Sequence, residues 1–114
     1  VSKELEDRFH EFARRVRDFC RKLKWDLINT EYIKQLIKAS GSVGANYIEA
    51  SDDLGKADEK MKIKLSRREA KESNHWLLLV ITDDDSKLEE ERTSLVDEAE
   101  QIKKILSNIV NKLQ

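Results

Sequence analysis

Proline is absent from the 114 residues, glycine occurs three times and cysteine once. Without proline, nothing in the chain forces a helix to kink or stop. The single cysteine, Cys20, excludes an internal disulfide and fits a reducing cytosol. No apolar run approaches the roughly 20 residues a membrane helix requires, so no membrane role is expected. No signal-peptide pattern is present either, and a cytoplasmic location is expected. The chain begins at Val1 rather than Met, so residues ahead of it are expected to be missing. An excess of one charge is lacking too: charged residues make up 39%, yet the net charge is −1. Dense, balanced charge suits long helices with solvated faces, and the periodic apolar residues argue against disorder. A chain of this length, one domain over 1–114, buries about two thirds of its unfolded surface and needs no metal or disulfide to hold a core.

What is present is helical periodicity, in segments spanning about 2–24, 30–53, 57–81 and 87–113. In the first, Leu5, Phe9, Phe12, Val16, Phe19 and Leu23 follow a 4-3-4-3-4 spacing, with Ala13 and Cys20 beside the seam. That placement makes Cys20 a small core residue rather than a reactive thiol. Asn29 or Thr30 is positioned to cap the second helix, and Gly55 to end it.

The second helix organises the chain. Ile33, Leu36, Ile37, Ser40, Val43, Gly44, Tyr47, Ile48, Ser51 and Leu54 fall on one side, whose middle is nearly bare backbone. Gly41 and Gly44 each lower helix stability by roughly 1 kcal/mol against alanine, so close approach of other helices is expected to compensate.

The third helix has three faces. Ile63, Ser66, Ala70, Ser73, Leu77 and Val80 form a seam of small and medium residues. Met61, Leu65, Glu69, Glu72, Trp76 and Leu79 form a second stripe, and Lys56, Lys60, Lys64, Arg67 and Lys71 a third, basic one. The run WLLLVI, 76–81, points apolar side chains in every direction, more than one bundle face requires. The surplus argues for a second burying surface, most simply another subunit, with Leu65, Glu69, Glu72, Trp76 and Leu79 as the interface. Lys38, Arg68 or the Trp76 indole N–H would then partner the two carboxylates. The fourth helix follows a capping turn at 83–86; Leu88, Leu95, Ala99, Ile102, Leu106, Ile109 and Leu113 form its seam, widened by Val96, Ile105 and Val110. Short connections make neighbours antiparallel: an all-α, up-down-up-down four-helix bundle.

Charge is distributed in blocks. Residues 8–24 carry seven basic and two acidic side chains, and residues 83–100 two basic and nine acidic. Up-down topology brings these blocks to the same end, where they neutralise each other and suit the helix dipoles. The five cations from Lys56 to Lys71 share one face, a row of the kind that tracks phosphates; the simpler reading is a solvated face. No aromatics are interleaved, so base stacking is not indicated.

Asp7-x-x-His10 and Glu72-x-x-His75 have the spacing of di-iron ligands, but the two histidines lie at levels roughly 10 Å apart and no matched glutamates face them. No nucleophile elbow or phosphate-binding glycine loop is present, so neither cofactor nor enzymatic activity is expected.

The run 40–80, within a match that covers roughly 36–80, resembles the four-helix bundle proteins encoded in intervening sequences of bacterial 23S rRNA genes. Gly44, Ala45, Asn46, Glu49 and Ala50, then Arg68, Glu69, Ala70, Glu72, Trp76 and Leu77, carry the likeness. Arg68 stands where lysine is usual, Ser73 where threonine is, and His75 where an aromatic is. The resemblance implies an antiparallel bundle that assembles as a homo-oligomer, a ring-like pentamer. A related, strongly basic type, the accessory subunit of diversity-generating retroelements, binds a reverse transcriptase and nucleic acid. No defined activity comes with the family, and an rRNA-related role is inferred from where its members are encoded.

Two functional expectations follow. The first is a non-enzymatic homo-oligomer binding RNA, or a ribosome-associated or nucleic-acid-processing partner, through the basic stripe. The second is a protein–protein adaptor without nucleic acid, using the acidic end at 83–91.

Overall fold

The structure, a computed structural model, describes residues 1–113. Its helices are α1 (Lys3–Arg21), α2 (Leu27–Glu49), α3 (Lys56–Leu79) and α4 (Ser86–Lys112). They pack cyclically, α1 on α2, α2 on α3, α3 on α4 and α4 on α1, and the diagonal pairs do not meet. The result is the antiparallel four-helix bundle that the apolar periods require, 46 Å long and 23 by 19 Å across.

Side-chain size sets how near each pair comes. Along α2 and α3, Ala39, Ser40, Ser66, Ala70 and Ser73 are buried, and the Ser66 hydroxyl donates to the Val43 carbonyl at 2.6 Å. Because a serine side chain is short, this bond needs α2 and α3 close together at that level. Phe9, Phe12 and Phe19 fill the α1 side and are fully buried. The Phe9 and Tyr47 rings meet edge to face at 5.0 Å, a favoured aromatic geometry.

The glycines behave differently from the sequence-based expectation. A methyl group at Gly44 would lie 3.5 Å from the Phe9 Cβ, an ordinary contact, and one at Gly41 would meet nothing within 4 Å. Of the two helical glycines, only Gly44 lies against another helix, and neither is sterically required within this chain. Ile37, Ser51 and Leu54, placed on the core side by spacing, are exposed. Among the α4 residues, Val110 is buried while Ile109 packs at the core's edge.

Helix ends also move, each for a local reason. Asp26, not Asn29 or Thr30, caps α2 by accepting from the Asn29 N–H at 2.8 Å, so the helix starts three residues earlier than the spacing predicts. The helix stops at Glu49 rather than 53: Ser51 turns its hydroxyl onto the Ile48 carbonyl, and Asp53 takes φ 57°. Gly55, with φ 105°, precedes α3 instead of ending α2. The α3 helix ends at Leu79, not 81, because other groups take its terminal backbone. Asn29, fully buried, donates to the Lys24 carbonyl at 2.8 Å and the Ile81 carbonyl at 3.1 Å, and accepts from the Ile81 N–H at 2.8 Å. Arg92 donates to the carbonyls of Leu77 and Val80 and is held by Glu89. Asp85 caps α4 through the Leu88 N–H.

Candidate assembly and nucleic-acid surfaces

The two polar stripes of α3 diverge to opposite flanks of the helix. Arg67 donates to the Ser107 hydroxyl at 3.4 Å and Asn74 to Glu100 at 2.8 Å, so the basic stripe runs beside α4. Lys62 pairs with Glu49 at 3.4 Å, and Trp76 lies 6.2 Å from the Tyr32 ring, so the other stripe runs beside α2.

On the α4 flank, Lys56, Lys64 and Lys71 are exposed and Lys60 and Arg67 half-buried. They cover about 22 Å along the axis, from 1.5 Å of rise per residue. Among the described residues, none of the five has a carboxylate within ion-pair distance. Three acids of α4 pair with cations outside this stripe. Glu98 takes both forks of Arg8 at 2.8 Å, Glu91 takes Lys22 at 3.1 Å, and Glu100 takes Lys103 at 3.0 Å. The Lys22 and Arg8 pairs are the expected neutralisation of the α1 block by the α4 block. A shallow depression of about 320 Å³, lined by Met61, Lys64, Leu65, Arg67, Arg68 and Lys71, lies along the exposed side of α3.

On the α2 flank, Leu65, Glu69 and Trp76 are half-buried, while Glu72 and Leu79 are exposed. Gln35, Lys38, Ala39, Ser42, Arg68, Glu69 and Glu72 line a hollow of about 290 Å³. Burial, then the neighbouring Glu72 charge, pushes the Glu69 carboxyl above its ordinary range, with Arg68 and Lys38 opposing. Lys38 and Arg68 are thus beside the carboxylates, as the spacing anticipates, whereas the Trp76 ring packs against Tyr32 and, edge-on, His75. Spacing alone misses a further apolar area: Trp25, Leu27 and Ile28 are exposed where α1 gives way to α2, at the end of the bundle where Ile81 of the 76–81 run is also exposed. Trp25 lies in the break between α1 and α2, and Leu27 and Ile28 open α2 ahead of its predicted start, where no period marks them.

Among the described residues, no cluster of three or more His, Cys, Asp or Glu side chains could hold a metal ion. Cys20 is buried, and desolvation pushes its thiol pKa up to about 12. A hollow of about 480 Å³ is bounded by Val1, the 50–55 turn and the start of α3, and there the Ser51 hydroxyl donates to the Ile48 carbonyl. No described helix is long and apolar enough to cross a membrane.

Comparison with known proteins agrees with this geometry. The model of a family described as 23S rRNA-intervening sequence protein matches residues 4–108. A crystal structure of a protein of unknown function from the S23 ribosomal protein family, from Bacteroides thetaiotaomicron VPI-5482, superposes with a TM-score of 0.75 at 28% identity, covering 92% of this chain and 96% of that one. No curated protein matches the sequence.

Proposed function

The chain belongs to the 23S rRNA-intervening sequence protein family, and from that premise we propose that it is a non-enzymatic scaffold that assembles with copies of itself and holds an RNA backbone. One observation carries the reading: the unpaired cations of α3 and its apolar, carboxylate-bearing stripe lie on opposite flanks. A neighbour covering the α2 flank leaves the α4 flank open. In a ring, the pentamer that the family resemblance implies, each copy contributes a further row of cations. Phosphate contacts add along such a surface and carry no sequence preference of their own. The acidic end at 83–91, where Glu89 and Glu91 are held by Arg92 and Lys22 but Asp83 and Asp84 have no ion partner among the described residues, is the surface the adaptor alternative would use.

Two measurements test the reading separately. Light scattering at micromolar concentration is expected to give a multimer, and Trp76→Ala to weaken it while lowering chain stability by about 2–3 kcal/mol, below the full-burial value because the ring is half-exposed. A wild-type monomer defeats the assembly half. Fluorescence anisotropy with a labelled RNA is expected to show binding at 50 mM salt. With four phosphates engaged, raising salt fourfold lowers affinity by about 50-fold. Joint reversal of Lys60, Lys64, Arg67 and Lys71 to Glu is expected to abolish binding with mass unchanged. No binding at 50 mM salt defeats the RNA half.

A further inference from the structure

The chain's single methionine does not join the core. Met61 is 54% exposed and lies beside the basic row, next to Lys60 and three residues before Lys64. Helical spacing places it on the side of the row that turns toward α2, one turn ahead of Leu65 and about 6 Å from it along the axis. These two apolar side chains line the shallow depression of about 320 Å³ together with Lys64, Arg67, Arg68 and Lys71. Its volume is at the lower end of the range for small-ligand sites, so it suits one planar group rather than several. Among the described residues, neither a carboxylate nor an aromatic ring lines it, and Lys64, Arg67 and Lys71 have no ion partner.

A phosphate backbone by itself would neutralise these cations and leave the apolar part of the depression under water. The group that fits the remainder is flat, largely apolar and carried close to a phosphate, as a nucleobase is. A duplex keeps the faces of its bases stacked inside, whereas a single strand can splay one out. Aromatic side chains are the usual platform for such a base. Here a thioether stands in their place: methionine sulfur is polarizable and makes favourable contacts with aromatic rings. The guanidinium planes of Arg67 and Arg68 beside it can stack on the same ring.

We propose that the depression at Met61 and Leu65 receives one unstacked base of a single-stranded RNA whose phosphates run along Lys60, Lys64, Arg67 and Lys71; this rests on the RNA reading and narrows it from a phosphate backbone to an unpaired strand. The phosphates lie toward α4, and the base turns over the ridge of α3 toward α2. Met61 adds affinity without charge. It meets the face of the base, which every base has, so the contact carries no strong sequence preference.

The test uses the full chain, isotope-labelled at the methionine methyl, with the Met61 signal assigned by its loss in Met61→Leu. Adding a single-stranded oligoadenylate at about 50 mM salt is expected to move that signal upfield, the ring-current mark of a methyl lying over a base. Inorganic polyphosphate, charged but without bases, is expected to leave it in place. In fluorescence anisotropy, Met61→Ser at this exposed position is expected to weaken the single strand about 2- to 10-fold. The slope of affinity against salt should not change, because no phosphate contact is lost. Binding of an RNA duplex is expected to be indifferent to the same substitution. RNA that binds while the methyl signal stays still, a shift produced equally by polyphosphate, or full single-strand affinity in Met61→Ser overturns the base contact and leaves the phosphate reading standing. Absence of any RNA binding overturns both.

Discussion

Replacing Asn29 by alanine is the most informative single perturbation of the fold. The side chain is fully buried and makes three hydrogen bonds to backbone groups of two separate connections. Each bond contributes about 1 kcal/mol net, so about 3 kcal/mol is lost if none is replaced. Water at the half-open Ile81 backbone would recover part of this, and the packing void left by the truncation would add to it. An unfolding entropy of about 2.1 cal/mol/K per residue converts 3 kcal/mol into a melting-point drop of about 12 °C for a chain of this length. Calorimetry measures the drop, and amide exchange at Ile81 reports whether the local staple opens first. Asn29→Asp is expected to be at least as damaging at pH 7, because a carboxylate then faces the Lys24 and Ile81 carbonyls with nothing to donate. Acid should partly relieve it by supplying one donor. A shift under about 3 °C for the alanine variant, less than 1 kcal/mol by the same entropy, would refute the view that this residue joins the two connections.

Three further outcomes are expected. Gly41→Ala should raise the melting point by up to about 4 °C, since the helical backbone gains up to about 1 kcal/mol and the new methyl meets nothing; a lower melting point would mean that a neighbouring copy needs that bare site. The Cys20 thiol, buried with its pKa pushed up to about 12, should react with a thiol reagent at pH 8 about 10²-fold more slowly in the native protein than in urea, and equal rates would exclude the core placement. The Glu69 carboxyl, raised above the ordinary 4.5, holds its proton more tightly folded than unfolded, so its contribution to stability falls as pH rises from about that value through the raised one. Glu69→Gln should therefore be more stable than wild type at pH 7 and converge with it at acid pH, as read from urea midpoints; a variant that is less stable at pH 7 would contradict the sign.

The seams of α1, α3 and α4 were legible because a buried helix face repeats, and no other arrangement of Phe9, Phe12, Val16 and Phe19, or of Ile63, Ser66, Ala70 and Ser73, buries them together. The helix ends were not, because partners far along the chain decide them. Asn29 reads as a capping residue, yet it serves Ile81, 52 residues on, while Asp26 does the capping. Nothing near Leu79 announces that Arg92 will take the carbonyls there. The basic stripe was legible as a pattern, but its freedom from pairing depends on which helices bring acids within reach, and Glu91, Glu98 and Glu100 pair with cations of α1 and α4 instead. The apolar side chains left exposed beside the α1–α2 connection were the least legible part, since Trp25 lies in the break and Leu27 and Ile28 precede the predicted start of α2.

A net charge of −1 conceals a strongly polarised molecule. Once α1 and α4 have neutralised each other, free cations remain near the start of α3 and free aspartates near the start of α4, at opposite ends of a 46 Å bundle. That polarity constrains how copies can assemble and still hold a polyanion. Side-by-side antiparallel neighbours would bring the aspartates of one copy toward the lysines of the next and quench the phosphate surface. Parallel neighbours, as in a ring, would keep every stripe at one end, where the charges add. The salt dependence of RNA binding therefore discriminates between the arrangements: the slope should steepen with assembly in the parallel case and flatten in the antiparallel one.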